Sequence, residues 1–342
     1  MQAVLMQRGK LWVDSIDDPT PGPGEVLVKS RACGICGSDL HAALHSDAFV
    51  ETSRAEGGGF KLTTFDPVVL GHEFCAEIVD FGPGTERKLT PGQLVCSPPI
   101  LARDGMRSIG YDDEVPGGFA QYMVLTEQLL LPVPDGTPAT AAALTEPMAV
   151  GLHAVNKAGL EGDEAIVVVG CGPVGLAIIT ALKARHRGPI LASDFSAGRR
   201  RFAEAQGAHG ALDPRVDDPF ARDEVTKSDR VVIFECVGVP GMIDQLFSSA
   251  PAGARIVVVG VCLQQDHIRP MVAINKELDL HFVLAWTIEE FRESLEHIAD
   301  GRFDVSELVT RQVALDQVAD TFAALADPEG DAKVVVEPWS GF

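Results

Sequence analysis

Ala165-Ile166-Val167-Val168-Val169-Gly170-Cys171-Gly172-Pro173-Val174-Gly175 decides the fold of this chain. Its first five residues are an unbroken apolar run, mostly β-branched, as expected of a parallel strand buried on both faces. Three glycines follow at the spacing Gly-x-Gly-x-x-Gly, and residues 176–187 then read as a helix. Gly170 permits a tight turn, Gly172 lets the backbone approach a pyrophosphate, and Gly175 lets the helix pack closely on the strand. Pro173 and Val174 lie within that turn, and the N-terminus of the helix after it favours phosphate charge. Nineteen positions after Gly175 stands Asp194, at the end of a second apolar strand, 190–193. Its carboxylate can accept hydrogen bonds from an adenosine ribose and would repel a 2′-phosphate. Arg199 and Arg200 keep NADP open, but Asp194 tips the choice to NAD. The plainer alternative is an ordinary αβ turn with fortuitous glycines and a helix-start acid. It leaves the strand, helix and acid at these spacings without a common cause.

Working outward, 231–236, 256–259 and 278–285 read as further apolar strands, and 197–206 as a helix. Strands alternating with helices indicate a doubly wound parallel sheet. Helices are expected over 288–299 and 315–325, and a closing strand over 333–337. The first half has another texture. Short strands at 3–5, 11–16, 25–30, 68–71, 74–81 and 94–97 are separated by turn clusters such as Pro19-Thr20-Pro21-Gly22-Pro23-Gly24. Residues 117–126 read as a turn and a strand. This β-rich half is what a partly open barrel would need. Residues 39–44 start like a helix, 45–66 has no clean period, and 98–116 reads as irregular.

A length of 342 residues suggests two domains with a sizeable core. The 28 basic and 49 acidic residues give a net charge of −21, which argues against nucleic acid and anionic membrane as partners. No window reaches the ~18 apolar residues of a membrane span. Residues 1–10 carry no apolar run behind a basic patch, so no signal peptide is expected. Seven cysteines in a long chain fit metal-binding or buried thiols in a reducing cytoplasm better than a disulfide framework.

The second informative stretch is Cys33-Gly34-Ile35-Cys36-Gly37-Ser38-Asp39-Leu40-His41. A Cys thiolate is a good zinc ligand, and a catalytic zinc takes three protein ligands and keeps one position open. Cys36 alone cannot make such a site. Gly71-His72-Glu73 offers an imidazole beside a carboxylate, and Thr145-Glu146-Pro147 offers another carboxylate.

At these residues the chain resembles the zinc-dependent medium-chain alcohol dehydrogenases, especially the branch similar to sorbitol and threonine dehydrogenases. The resemblance runs through nearly the whole chain. It implies an α/β protein with a GroES-like β-rich catalytic domain, residues 1–148 plus 288–342, and a Rossmann NAD-binding domain, residues 149–287. It implies Cys36 and His72 as zinc ligands, with Glu146 or Glu73 as the third. Asp39 is then the partner that sets the tautomer of His72. An alcohol must lose its hydroxyl proton before hydride can leave its carbon, and that proton needs a path to water. In the family the path runs from the Ser38 position through the nicotinamide ribose to the His41 position; an imidazole suits the last step because it titrates near neutrality. Beyond the glycine motif, Asp194 and Arg199, the resemblance puts Val237, Val259, Gly260, Val261, Ala285 and Lys333 on the cofactor.

Three departures from the family stand out. Residues 98–116 hold no cysteine where many relatives carry four around a structural zinc, so a single, catalytic Zn²⁺ is expected. Gln93 replaces the Asp usual after Pro91-Gly92. The connection 45–66 is also longer than usual. Its apolar residues Phe49, Val50, Phe60, Leu62 and Phe65 should cover the substrate or a neighbouring subunit, with Gly57-Gly58-Gly59 as a hinge; the plainer alternative is that they cap the catalytic domain. The expected activity is hydride transfer between NAD(H) and a small-molecule alcohol or carbonyl, with Ser38 leaving room for a secondary or bulky alcohol, in a homo-oligomer (dimer or tetramer). The rivals are a zinc-free quinone or enone reductase of the same superfamily and a non-enzymatic nucleotide-binding relative.

Overall fold

The computed structural model describes residues 1–55, 61–325, 327 and 329–341. Six strands make a parallel sheet in the order Gly210–Leu212, Ile190–Ser193, Ala165–Val169, Val231–Glu235, Arg255–Val258, Asp279–Phe282. Ala165–Val169 lies inside it, with the second strand on one side and Val231–Glu235 on the other. Its continuous apolar sequence follows from that place, since both faces are covered. The order reverses here, so a crevice opens at the carboxyl ends of these strands. Helix Pro173–Arg185 starts in that crevice and buries Gly175 through Leu182. A Cβ on Gly175 would stand 2.0 Å from the carbonyl oxygen of Gly170, so any side chain would push the helix off its strand.

The second sheet has seven strands, in the order Val309–Val313, Lys333–Val336, Glu25–Gly34, Glu73–Phe81, Leu94–Cys96, Leu131–Pro132, with Tyr122–Thr126 also paired to Glu25–Gly34. The two strands from the end of the chain thus complete a sheet begun near residue 25. Glu25–Gly34 carries register shifts at Leu27/Val28 and Ser30/Ala32. Such irregularities bend a strand and re-aim its end. Its end pairs Gly34 with Glu73 on one side and with Val335 on the other.

Several segments differ from expectation. Residues 45–66 contain a helix, Ser46–Ala55, whose buried face is only Phe49, Val50 and Ser53. That stripe is too short to register as a period. Phe49, Val50 and Leu62 lie in the core of the β-rich half, as the capping alternative requires, while Phe65 is 77% exposed. Phe60 and the three glycines of the expected hinge lie outside the described residues. Residues 98–116 are not wholly irregular, since Ile100–Ala102 and Met106–Ser108 form a hairpin. Buried Arg107 there donates to Asp112 Oδ2 at 2.6 Å and Glu114 Oε2 at 2.7 Å, tying the lobe together. The last strand of the parallel sheet is Asp279–Phe282, shorter than 278–285, and Ala285 beyond it has φ +55°. Gln93 serves its turn directly, its side-chain oxygen accepting from the Thr90 amide at 3.3 Å. Among the described residues, no helix is long and apolar enough to cross a membrane.

Candidate metal and dinucleotide site

Cys36 stands where Glu25–Gly34 hands over to helix Gly37–Leu44, as the residue before the first helical turn. Its amide donates to Asp39 Oδ2 at 2.9 Å. Asp39 is fully buried, and its other oxygen lies 3.4 Å from His72 Nδ1. One carboxylate therefore caps the helix and faces the imidazole. Among the described residues, the one set of metal-ligating side chains drawn together is Cys36, His72 and Glu73, with ligand atoms within 4.8 Å of one another. Burial pushes the His72 imidazole toward neutrality, but Asp39 and Cys36 outweigh it and raise its pKa well above the ordinary value. Asp39 and Cys36 thus favour positive charge at the imidazole. A sulfur, an imidazole nitrogen and a carboxylate oxygen are the donor set of a zinc site with an open position.

Glu73 is not free to serve that cluster alone. Lys333 Nζ donates to its Oε1 at 2.6 Å, lies also against Oε2, and donates to the Ile35 carbonyl at 2.9 Å. Both partners are buried. Lys333, expected on the cofactor, therefore has its ammonium on the carboxylate of the Cys36, His72 and Glu73 cluster. A Cβ on Gly34 would fall 2.1 Å from Glu73 Oε2, so this ion pair occupies the space a side chain would take. Glu146, in the first turn of helix Thr145–Lys157, lies outside the cluster of three, and its Oε1 accepts from Trp286 Nε1 at 2.9 Å. Burial pushes its carboxyl up, and nearby His72 pulls it back only in part.

Ser38 and His41 project from helix Gly37–Leu44. The imidazole of His41 is held below its ordinary pKa by burial and by neighbouring His45. Ser38 has a partner that no motif announced. Tyr111 Oη lies 2.8 Å from Ser38 Oγ and 3.2 Å from Asp39 Oδ1, and its ring packs 5.1 Å from that of His72 and 5.5 Å from that of Phe49. Burial and Asp39 push this phenol well above its ordinary pKa. Its only sequence signal is rarity, as one of two tyrosines in the chain. Trp286, the partner of Glu146, was equally silent.

Gly170, Gly172, Pro173, Val174 and Gly175 form the turn at the carboxyl end of Ala165–Val169. Asp194 accepts from the Cys171 amide and the Ser196 amide, each at 2.8 Å, which ties the acid to the glycine turn. Arg199 Nη1 lies 4.0 Å from the same carboxylate, while Arg200 donates to the carbonyls of Asp194 and Phe195. Val237 follows Val231–Glu235 and donates its amide to Glu235 Oε1 at 2.7 Å; Val259, Gly260 and Val261 follow Arg255–Val258. These two loops touch, since a Cβ on Gly260 would meet the Gly238 amide at 2.3 Å. Val237 and Val261 are exposed beside them, and Ala285 lies beyond the next strand.

Two family models match the chain, the alcohol dehydrogenase GroES-like domain over residues 22–135 and the zinc-binding dehydrogenase over residues 173–300. The (R,R)-butanediol dehydrogenase of Bacillus subtilis is 32% identical over 337 residues, spanning 95% of this chain and 96% of that protein. The chain belongs to the zinc-dependent medium-chain alcohol dehydrogenase family. The sorbitol dehydrogenase of Bacillus subtilis is 28% identical over 98% of this dehydrogenase and 96% of its own length. The crystal structure of 2R,3R-butanediol dehydrogenase from Bacillus subtilis superposes with a TM-score of 0.84 at 30% identity, covering 98% and 99% of the two chains. A zinc-binding dehydrogenase from Sinorhizobium meliloti, solved bound to NADP, gives 0.83 at 27% identity, over 98% and 99%. The dehydrogenase is thus an oxidoreductase acting on CH–OH groups, with a GroES-like half and a Rossmann half.

Proposed function

We propose that this dehydrogenase moves hydride between a secondary or bulky alcohol and NAD(H), with one zinc per chain held by Cys36, His72 and a carboxylate. The observation that carries the reading is the convergence of Cys36, His72 and Glu73 within 4.8 Å, with Ser38 on the helix that Cys36 caps. Zinc bound there would act as a Lewis acid that eases loss of the alcohol proton. Cys36 and His72 hold the ion, Asp39 orients His72, and the third ligand is Glu73 or Glu146. Lys333 and Trp286 each engage one of those carboxylates, which supports exchange between them. Ser38 Oγ accepts the alcohol proton as it releases its own, and His41, held below its ordinary pKa by burial, hands a proton on to water at neutral pH.

Several finer points belong to the same proposal. Asp194 selects NAD over NADP, with Arg199 beside it and Arg200 turned to backbone carbonyls. The catalytic domain is residues 1–148 plus 288–342, and 149–287 is the cofactor domain. A homo-oligomer is supported by the edge strand Asp279–Phe282, where Phe282 and Leu284 are exposed, and by the exposure of Met271 and Ile274 on helix Pro270–Asn275. Seven free cysteines support the cytoplasm. The cluster of sulfur, imidazole and carboxylate speaks against a zinc-free reductase.

The test is elemental analysis of the purified protein together with NAD reduction across polyols, alkanols, aryl alcohols and hydroxy acids. One zinc per chain and NADH formation with secondary alcohols are expected. A metal-free protein that oxidises none of them would refute the reading.

A further inference from the structure

We propose that Tyr111 is a positioning residue for Ser38, fixing the direction of the Ser38 hydroxyl from the buried side of the site. This rests on the reading of Ser38 as the acceptor of the alcohol proton.

The phenol is held from three directions. Its backbone is pinned on both sides, the Tyr111 amide donating to the Ser108 carbonyl and its carbonyl accepting from the Lys61 amide, each at 3.1 Å. The next residue, Asp112, is locked by the buried Arg107 guanidinium. The ring is packed between His72 and Phe49. The hydroxyl is therefore presented at one place, 2.8 Å from Ser38 Oγ and 3.2 Å from Asp39 Oδ1.

A phenol has one proton to give, and a serine hydroxyl has one proton and two lone pairs. With the Tyr111 proton on Ser38 Oγ, the shorter of the two contacts, one serine lone pair is filled from the buried side. The other remains for the alcohol, and the serine proton remains to be passed outward. Without the phenol, the Ser38 proton can turn inward, and the hydroxyl loses its preset direction. Asp39 then links two parts of the site, since the same oxygen faces His72 Nδ1 and the Tyr111 hydroxyl. A merely space-filling ring would need no oxygen at hydrogen-bond distance from Ser38.

Tyr111→Phe keeps the ring and removes the oxygen. It should lower kcat for alcohol oxidation about tenfold, the order expected for one hydrogen bond made on the way to the transition state. KM for NAD and zinc content should stay at wild-type values. In a Ser38→Ala background the same substitution should cost nothing more, because residues acting through one another are not additive. Crystal structures supply a readout apart from activity, with the Ser38 side chain in one rotamer in wild type and shifted or split in Tyr111→Phe. An unchanged kcat, an equal loss in both backgrounds, loss of zinc, or an unmoved Ser38 rotamer each overturns the inference. Full activity in Ser38→Ala alone overturns the relay reading and this inference with it. An impaired Ser38→Ala beside a fully active Tyr111→Phe overturns this inference only.

Discussion

Lys333→Met should destabilise the metal-free protein more than any other single substitution around the site. Lys333 is 4% exposed and Glu73 fully buried. The ammonium donates to Glu73 Oε1 and to the Ile35 carbonyl, and little solvent is at hand to replace it. Methionine fills most of the volume but leaves a carboxylate alone in the interior. Removing one partner of a buried pair costs about 3–5 kcal/mol, most of it for the stranded charge. The assay is urea unfolding of metal-depleted protein, comparing midpoints at unchanged slope. Two controls separate charge from packing. Lys333→Met with Glu73→Gln should recover much of the loss, since no full charge is then left unpaired. Added zinc should stabilise Lys333→Met more than wild type, because the ion gives Glu73 a new cationic partner. A metal-depleted Lys333→Met within about 0.5 kcal/mol of wild type, the usual size of a neutral surface change, would refute the reasoning.

Cys36→Ser should abolish tight zinc binding by elemental analysis while leaving NADH binding by fluorescence within about twofold, since a hydroxyl is a poor zinc donor and the glycine turn is elsewhere. Asp194→Ala should lower kcat/KM for NAD by about tenfold, the worth of one hydrogen bond to a charged acceptor, and lower it less, or raise it, for NADP; a wild-type preference for NADP would contradict the role given to Asp194. Burial raises the Glu25 carboxyl, but bonds from Arg103 and the Gly22 amide outweigh it and leave the pKa below its ordinary 4.5. That stabilisation is complete above pH 4.5 and is lost as pH falls through the folded value. Glu25→Gln should therefore narrow the gap in stability between neutral and acid pH, read from unfolding midpoints across that range.

Ala165–Gly175 was legible because its information is local. A buried strand needs an apolar run, and a close turn needs glycine, so both leave marks in adjacent residues. Cys36 and His72 were legible because few residue types bind zinc and the positions carrying them matched a known pattern. Helix Ser46–Ala55 was not, because three buried residues on one face make no period. The partners of the site residues left no mark at all. Lys333 and Glu73 are 260 positions apart, Trp286 and Glu146 are 140 apart, and Tyr111 and Ser38 are 73 apart. Each pair is chosen by how distant elements seat against one another. The pairing of Val335 with Gly34 carries Lys333 to Glu73, and Tyr111, next to the Asp112 that Arg107 holds, packs on His72. Sequence alone therefore determined which groups could do chemistry, because that depends on residue type and short spacing. Only the tertiary structure decided which neighbour holds each group in place, because that depends on register and packing between segments with no sequence proximity.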